Sequence, residues 1–289
     1  MGVPDGWTTD TVRANGIDLQ YHRTGESPPP VVAHGFYENA RCRATLVEDP
    51  ADSFDVVAYD ARGHGGSDGP DWGYGIDDRV ADLVGPVEAL GLWDPVLFGH
   101  SAGGSTVARA AARRLELPSA VVLEDPDAWR GEPETSPTEM EAFVRDRVAE
   151  LTERSVEDIA AESDRDGERA SRSLTRNRAA NIARFAKEEF RRTPAAFPDV
   201  AAPTLVLKAD AAPEERAEDL AAADALPDGR LVHVPGADTT CSGRSTRPRT
   251  RSYGRSCTGS RAEATFPVAV APSARAWGRT GRRARRRSR

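Results

Sequence analysis

Short apolar runs alternate with amphipathic segments along the first 238 residues of the chain. Runs typical of buried strands lie at 30–33, 54–59, 96–98, 120–123 and 204–209, and residues at helical spacing lie between them, as in 75–90. Strands that alternate with helices pair in parallel through right-handed crossovers. The pattern therefore predicts an α/β fold with a mainly parallel sheet and flanking helices.

Two stretches depart from this alternation. Near the start, alternating residues at 11–14 and 17–21 flank Asn15-Gly16, the strongest signal for a two-residue hairpin. From about 129 to 199, apolar residues are sparse among charges, and Ser136-Pro137-Thr138-Glu139 has the form of a capping box with proline at the first helical position. We therefore predict an antiparallel entry hairpin and a thin helical cap inserted between two strands of the sheet.

The stretch 99–103, Gly-His-Ser-Ala-Gly, has the form G-x-S-x-G between an apolar strand and the helix-forming run 107–115. This order of strand, sharp turn and helix is what a nucleophile elbow requires. A β-carbon at Gly99 or Gly103 would crowd the strand or the helix beside the serine. Ser101 is therefore the candidate nucleophile.

The charge of the chain changes sign near residue 238, where the periodicity is also lost. Of 39 basic and 46 acidic residues, 239–289 holds fourteen arginines and one acid, Glu263, which leaves 25 basic and 45 acidic residues for 1–238. We expect an α/β domain over 1–238 and a basic, irregular, disordered tail over 239–289. Arginine blocks can bind nucleic acid, but the tail has no recognition motif, so we expect no nucleic-acid partner.

Signals for membranes, export and metals are missing from the sequence. No run of eighteen apolar residues exists, and the first residues are not a basic segment followed by an apolar one, so we expect a cytoplasmic protein without a membrane partner. Cys42, Cys241 and Cys257 have neither disulfide-framework nor metal-site spacing. We expect no metal and no cofactor, and a small-molecule substrate as the partner.

Four motifs in register resemble the α/β-hydrolase family: His34-Gly35-Phe36, 60–67, 99–103 and 203–207. The resemblance implies the α/β-hydrolase fold with a helical cap. A serine elbow and a single glycine after His34 are similar to the esterase, lactonase, perhydrolase and C–C hydrolase branch. Triglyceride lipases have H-G-G-G at this place and not a single glycine, and the dehalogenase and epoxide-hydrolase branches place aspartate at the elbow.

The resemblance also implies roles for single residues. Ser101 would attack an acyl carbon, and the backbone N–H groups of Ala102 and Phe36 would form the oxyanion hole. The acid of the family follows the next-to-last strand, where Asp210 is the candidate; Asp125, after the preceding strand, is the alternative. The implied function is hydrolysis of a small ester, lactone or related acyl substrate.

The catalytic histidine of the family is missing from its place. It follows the last strand as Gly-His, where this chain has Pro235-Gly236-Ala237-Asp238, and no histidine occurs beyond His233, which lies inside that strand. A serine without a base to take its proton is a poor nucleophile. The chain is therefore expected to have little or no activity as written, or to be a non-catalytic, ligand-binding member of the fold.

A shift of reading frame would explain the missing histidine, the charge change and the lost periodicity together. Residues 237–247 can be back-translated so that reading two nucleotides later gives Gly-His-Tyr-Leu-Phe-Arg-Ala-Val-Asp-Glu, a Gly-His followed by the start of an amphipathic helix. Our hypothesis is a frameshift near codon 237.

The acidic excess of residues 1–238 predicts adaptation to salt. Acidic surfaces keep proteins soluble in concentrated salt and repel themselves in dilute buffer. We expect the melting temperature to rise as KCl is raised to molar concentration, as measured by circular dichroism. A melting temperature that stays constant or falls would exclude a halophilic protein.

Overall fold

One sheet of eight strands organises the computed structural model, which describes residues 6–25, 30–36, 38–43, 55–129 and 192–234 together with single positions between 136 and 153. The strands are β1 (Thr8–Ala14), β2 (Ile17–Arg23), β3 (Pro30–Ala33), β4 (Val57–Tyr59), β5 (Val96–His100), β6 (Ala120–Glu124), β7 (Thr204–Ala209) and β8 (Gly229–Val234). Within the described ranges the helices are α1 (Ile76–Ala89), α2 (Ala102–Arg113) and α3 (Pro213–Ala223), with 3-10 helices at Ala40–Arg43 and Thr193–Asp199.

The strand order is β1-β2-β4-β3-β5-β6-β7-β8. β1 pairs with β2 and β2 with β4 in the antiparallel sense, and all other neighbours are parallel. The predicted α/β fold with a mainly parallel sheet is therefore confirmed. The predicted hairpin is also confirmed, because Asn15 and Gly16 join β1 to β2 with φ of 46° and 77°, the left-handed values that a type I′ turn needs.

Two elements differ in length from the sequence pattern. β4 begins at Val57, three residues after the apolar run starts, because Thr24 Oγ1 accepts the Val56 N–H at 3.1 Å in place of a ladder bond. α2 begins at Ala102, directly after Ser101, whereas the helix-forming run starts at 107. The first turn of α2 contains glycines and serine, which are weak helix formers, so the pattern underestimates the helix.

Both faces of the sheet are buried along its central strands β3, β4, β5 and β6, as is typical of parallel sheets. Alternate residues of each strand point to opposite faces, so Val121 joins the core beneath α1 and α2 while Val122 joins the core on the other face. Trp129 and Phe197, at the two ends of the predicted cap, are buried together in the first core, with ring centres 5.4 Å apart. The insertion therefore leaves and rejoins the body at one place.

Most of the predicted cap lies outside the described residues, but its capping box is confirmed. The Ser136 N–H donates to Glu139 Oε2 at 2.9 Å, and the Glu139 N–H donates to Ser136 Oγ at 3.3 Å. The predicted tail at 239–289 lies outside the described residues. No helix in the described ranges is long and apolar enough to cross a membrane.

A buried ion pair joins the loop at 60–67 to α1 and to the entry hairpin. Arg62 is fully buried, and its Nη2 donates to Asp82 Oδ1 at 2.7 Å, while its Nε donates to the other carboxylate oxygen. Asn15 Nδ2 donates to the same carboxylate at 2.9 Å. One carboxylate therefore holds three separate chain segments.

We expect Asp82→Ala to lower the free energy of unfolding by about 3–5 kcal/mol, since it leaves the Arg62 charge buried without its carboxylate. The matched control on the same helix is Asp77→Ala, because Asp77 pairs with Arg113 at the exposed surface. Exposed pairs contribute at most about 1 kcal/mol. Urea denaturation measures both variants, and equal losses would contradict the role assigned to the buried pair.

Candidate active site

Ser101 lies in a strained turn between β5 and α2. Its backbone has φ 49° and ψ −118°, which side chains rarely adopt and which costs about 1–3 kcal/mol. The turn is held from both sides: the Ser101 N–H donates to the Glu124 carbonyl at 3.0 Å, and the Asp127 N–H donates to the Ser101 carbonyl at 3.1 Å. Such stored strain is typical of functional positions.

The glycines of the elbow have the steric role that the sequence predicts. A β-carbon on Gly99 would lie 2.5 Å from the Gly103 carbonyl oxygen. A β-carbon on Gly103 would lie 2.2 Å from the carbonyl oxygen of Ala33, at the end of β3. The first turn of α2 therefore touches the end of the neighbouring strand, and only glycine permits that contact.

The Ser101 side chain is mostly buried, with the residue 8% exposed. Within the described parts of the chain, no group forms a hydrogen bond with Ser101 Oγ. The hydroxyl therefore has no base among these residues.

One candidate oxyanion donor, Ala102, belongs to the elbow, and the other, Phe36, belongs to the loop after β3. Ala102 is the first residue of α2, where N–H groups have no partner within the helix. Phe36 follows β3 and packs against Ala102 and Tyr74. The structure thus brings the two predicted residues together.

The turn formed by His34, Gly35, Phe36 and Glu38, called the Gly35 turn below, is held by side chains. The Gly35 carbonyl accepts from His34 Nδ1 at 2.8 Å and from the Glu38 N–H at 3.1 Å. His34 Nε2 accepts the Ala61 N–H at 2.9 Å, which fixes the proton of His34 on Nδ1. Because the C=O and N–H of one trans peptide point in opposite directions, these bonds orient the Phe36 N–H.

His64 packs beneath the Gly35 turn. Its Nε2 lies 2.8 Å from the Phe36 carbonyl and its Nδ1 lies 2.9 Å from the Arg62 carbonyl. Burial, followed by the neighbouring His34 ring, lowers the pKa of His64 to about 4. The ring is therefore neutral at pH 7 and donates to one of the two carbonyls.

The two candidate acids have different surroundings. Asp210 follows β7, is 35% exposed on its side chain and pairs with Arg216 at the start of α3. Asp125 follows β6, the strand beside β5, and directly follows Glu124, whose carbonyl holds the Ser101 N–H. The Asp125 carboxylate is 18% exposed and pairs with Lys208.

Each of the five histidines bonds to a group other than Ser101. His233 Nε2 lies 2.9 Å from the buried Asp219 carboxylate of α3, on the helix side of β8. His22 bonds to Thr9 Oγ1 at 2.8 Å, and His100 Nδ1 lies 3.0 Å from Glu38 Oε2. The place of the family histidine, after β8, lies outside the described residues.

Sequence reasoning missed Glu38 and Lys208. Lys208 interrupts the apolar run of β7, and its Nζ lies 5.2 Å from the centre of the Trp129 ring. A charge inside a buried run was a visible signal. Glu38 gave no such signal, because its partners at Gly35 and His100 lie in separate segments.

Comparison with known proteins identifies the family. Residues 28–237 match the family model described as the alpha/beta hydrolase fold, so the chain belongs to the α/β-hydrolase family. Among curated relatives, 2-(acetamidomethylene)succinate hydrolase of Mesorhizobium japonicum is 32% identical over 121 residues, which cover 42% of this chain and 44% of that protein. The bifunctional esterase/perhydrolase DCH of Acinetobacter calcoaceticus is 35% identical over 102 residues, covering 34% and 37%. The matched segments span less than half the length of these relatives.

The solved structures confirm the fold. The crystal structure of E-2-(acetamidomethylene)succinate hydrolase superposes with a TM-score of 0.67 at 26% identity, covering 80% of this chain and 92% of that chain. The α/β-hydrolase prediction for fold and class is therefore confirmed.

Proposed function

We propose that this protein is a serine hydrolase that acts on a small ester, lactone or related acyl substrate, with Ser101 as nucleophile. The observation that carries the proposal is the strained, mostly buried Ser101 directly before Ala102 at the start of α2, with Phe36 packed against the cluster that contains Ala102. Preorganised donors at the developing oxyanion are usually the largest contribution to catalysis of acyl transfer.

In this reaction Ser101 Oγ attacks the acyl carbon, and the carbonyl oxygen becomes an oxyanion between the two N–H groups. Collapse of the intermediate expels the alcohol or enol, and water then attacks the acyl-serine to release the acid and regenerate Ser101. Each half needs a base for the attacking hydroxyl and an acid for the leaving group. The names of the relatives, a succinate-derivative hydrolase and an esterase/perhydrolase, support an acyl substrate.

The contacts of the acids favour Asp125 over Asp210 as the residue that would orient a histidine. Asp125 lies one strand from Ser101, and its mostly buried carboxylate pairs with Lys208 among the described residues. Asp210 lies one strand further away and faces Arg216 at the surface. Asp210, the candidate from the sequence, therefore becomes the second choice in this proposal.

The missing base and the composition of the tail support a shift of reading frame. The family match ends at residue 237, where the charge changes sign. On β8, the last described strand, Val232 and Val234 lie on one side and are 45% and 40% exposed. The amphipathic segment of the other frame would cover this apolar strip. In the alternative proposal the chain binds a ligand and catalyses no reaction. The five histidines support this alternative, because each of them forms hydrogen bonds with groups other than Ser101.

Ester hydrolysis by the intact chain should be feeble and nearly independent of Ser101. Without a base, the oxyanion hole and binding still give about 10³–10⁴-fold over water. We expect the chain to hydrolyse p-nitrophenyl acetate slowly and Ser101→Ala to keep most of that residual rate, because a serine without a base adds little, as measured by p-nitrophenolate release. Brisk turnover abolished by both Ser101→Ala and His233→Gln would show that His233 serves as the base. A ligand bound equally by Ser101→Ala, with no hydrolysis, would favour the non-catalytic alternative.

The coding DNA decides the frameshift proposal. We expect sequencing across codons 235–265 to reveal a Gly-His within one shift of frame, followed by an amphipathic segment. A chain carrying that segment should gain several powers of ten in kcat, because it regains a triad member. If neither alternative frame encodes Gly-His, the tail is a genuine part of the protein.

A further inference from the structure

Glu38 lies between the two segments that carry the oxyanion donors. The Gly35 N–H donates to Glu38 Oε2 at 2.7 Å, and His100 Nδ1 lies 3.0 Å from the same oxygen. A carboxylate only accepts hydrogen bonds, so Nδ1 of His100 carries the proton. Gly35 directly precedes Phe36, and His100 directly precedes Ser101. One carboxylate oxygen therefore joins the Gly35 turn to the elbow.

The sheet by itself does not set the distance between the two donors. β3 and β5 pair in parallel up to Ala33 and Gly99, and Phe36 and Ala102 each lie three residues beyond that last pair. An oxyanion hole needs both donors at about 2.7–3.1 Å from one oxygen. Contacts beyond the strand ends must therefore hold the two N–H groups at the right separation.

The bridge through Glu38 and His100 explains why residue 35 is a glycine, because the two side chains occupy the space beside it. A β-carbon there would lie 2.8 Å from His100 Nδ1 and 3.0 Å from Glu38 Oε2. Gly35 is not among the residues with positive φ. Glycine is therefore needed here because a side chain has no room, and not because of its conformational freedom. The imidazole and the carboxylate fill the place that a side chain would take.

We propose that Glu38 is a positioning residue that sets the separation between the Phe36 and Ala102 N–H groups by tying the Gly35 turn to the elbow. The proposal rests on the proposed hydrolase function. Glu38 acts through Gly35 and His100, and its carboxylate takes no part in bond making or breaking.

The first test compares Glu38→Ala with the isosteric Glu38→Gln. We expect Glu38→Ala to lower kcat for the residual hydrolysis of p-nitrophenyl acetate, which depends on the oxyanion hole, about tenfold to a hundredfold, since a misplacement of about 1 Å costs up to 10²-fold, with KM little changed. Glu38→Gln should keep most of the rate, because its amide oxygen accepts both hydrogen bonds. The matched control is Glu88→Ala, since Glu88 pairs with Arg114 at the surface. An unchanged kcat in Glu38→Ala, or equal losses in both Glu38 variants, would overturn the proposal.

The second test needs no turnover. The chain has eight phenylalanines, so a protein labelled with ¹⁵N-phenylalanine gives a simple amide spectrum in which Phe36→Leu identifies the Phe36 signal. We expect this signal to move in Glu38→Ala and to stay in Glu38→Gln and Glu88→Ala, while the other signals report an intact fold. An unmoved Phe36 signal in Glu38→Ala overturns the proposal. If the signal moves but neither the intact chain nor the chain with the restored frame hydrolyses the ester, the proposed function fails and the positioning role stands.

Discussion

The site depends on the close approach of the first turn of α2 to the end of β3. Gly103 has no room for a β-carbon against the Ala33 carbonyl, and this contact places the first turn of α2, which begins at Ala102, beside the Gly35 turn, which contains Phe36. The backbone of Ser101 takes its strained conformation to make that approach possible, and bonds to Glu124 and Asp127 maintain it. Strain of this kind persists where the surrounding structure over-determines it.

Single carboxylates connect the loops around this contact. Asp82 joins the 60–67 loop, α1 and the entry hairpin, and Glu38 joins the Gly35 turn and the elbow. Three of the five histidines, His34, His64 and His100, serve the same loops through hydrogen bonds to backbone or to Glu38. Histidine side chains suggest acid–base chemistry. Within the described residues, however, the hydrogen-bond partners of these three histidines give them a structural role.

The elbow and the two proposed oxyanion donors lie among the described residues, whereas the proposed place of the base does not. Acyl transfer separates into stabilisation of the oxyanion, which backbone N–H groups perform, and proton movement, which needs a titratable side chain. In the proposed function the first part comes from β3, β5 and α2, early in the sequence. The second part would come from a segment after β8, where the composition of the chain changes. Under this proposal a change confined to the end of the chain removes proton transfer and leaves the two oxyanion donors in place.

Sequence by itself determined the fold class, the hairpin at Asn15-Gly16, the bounds of β3 and β7, the elbow at Ser101 and the steric need for Gly99 and Gly103. These features depend on local periodicity and on residues close together in the chain, which a pattern records. The early start of α2, the late start of β4 and the surroundings of Asp125 and Asp210 were decided by the tertiary structure. So was the bridge at Glu38, because its partners come from two strands that only the folded sheet makes neighbours.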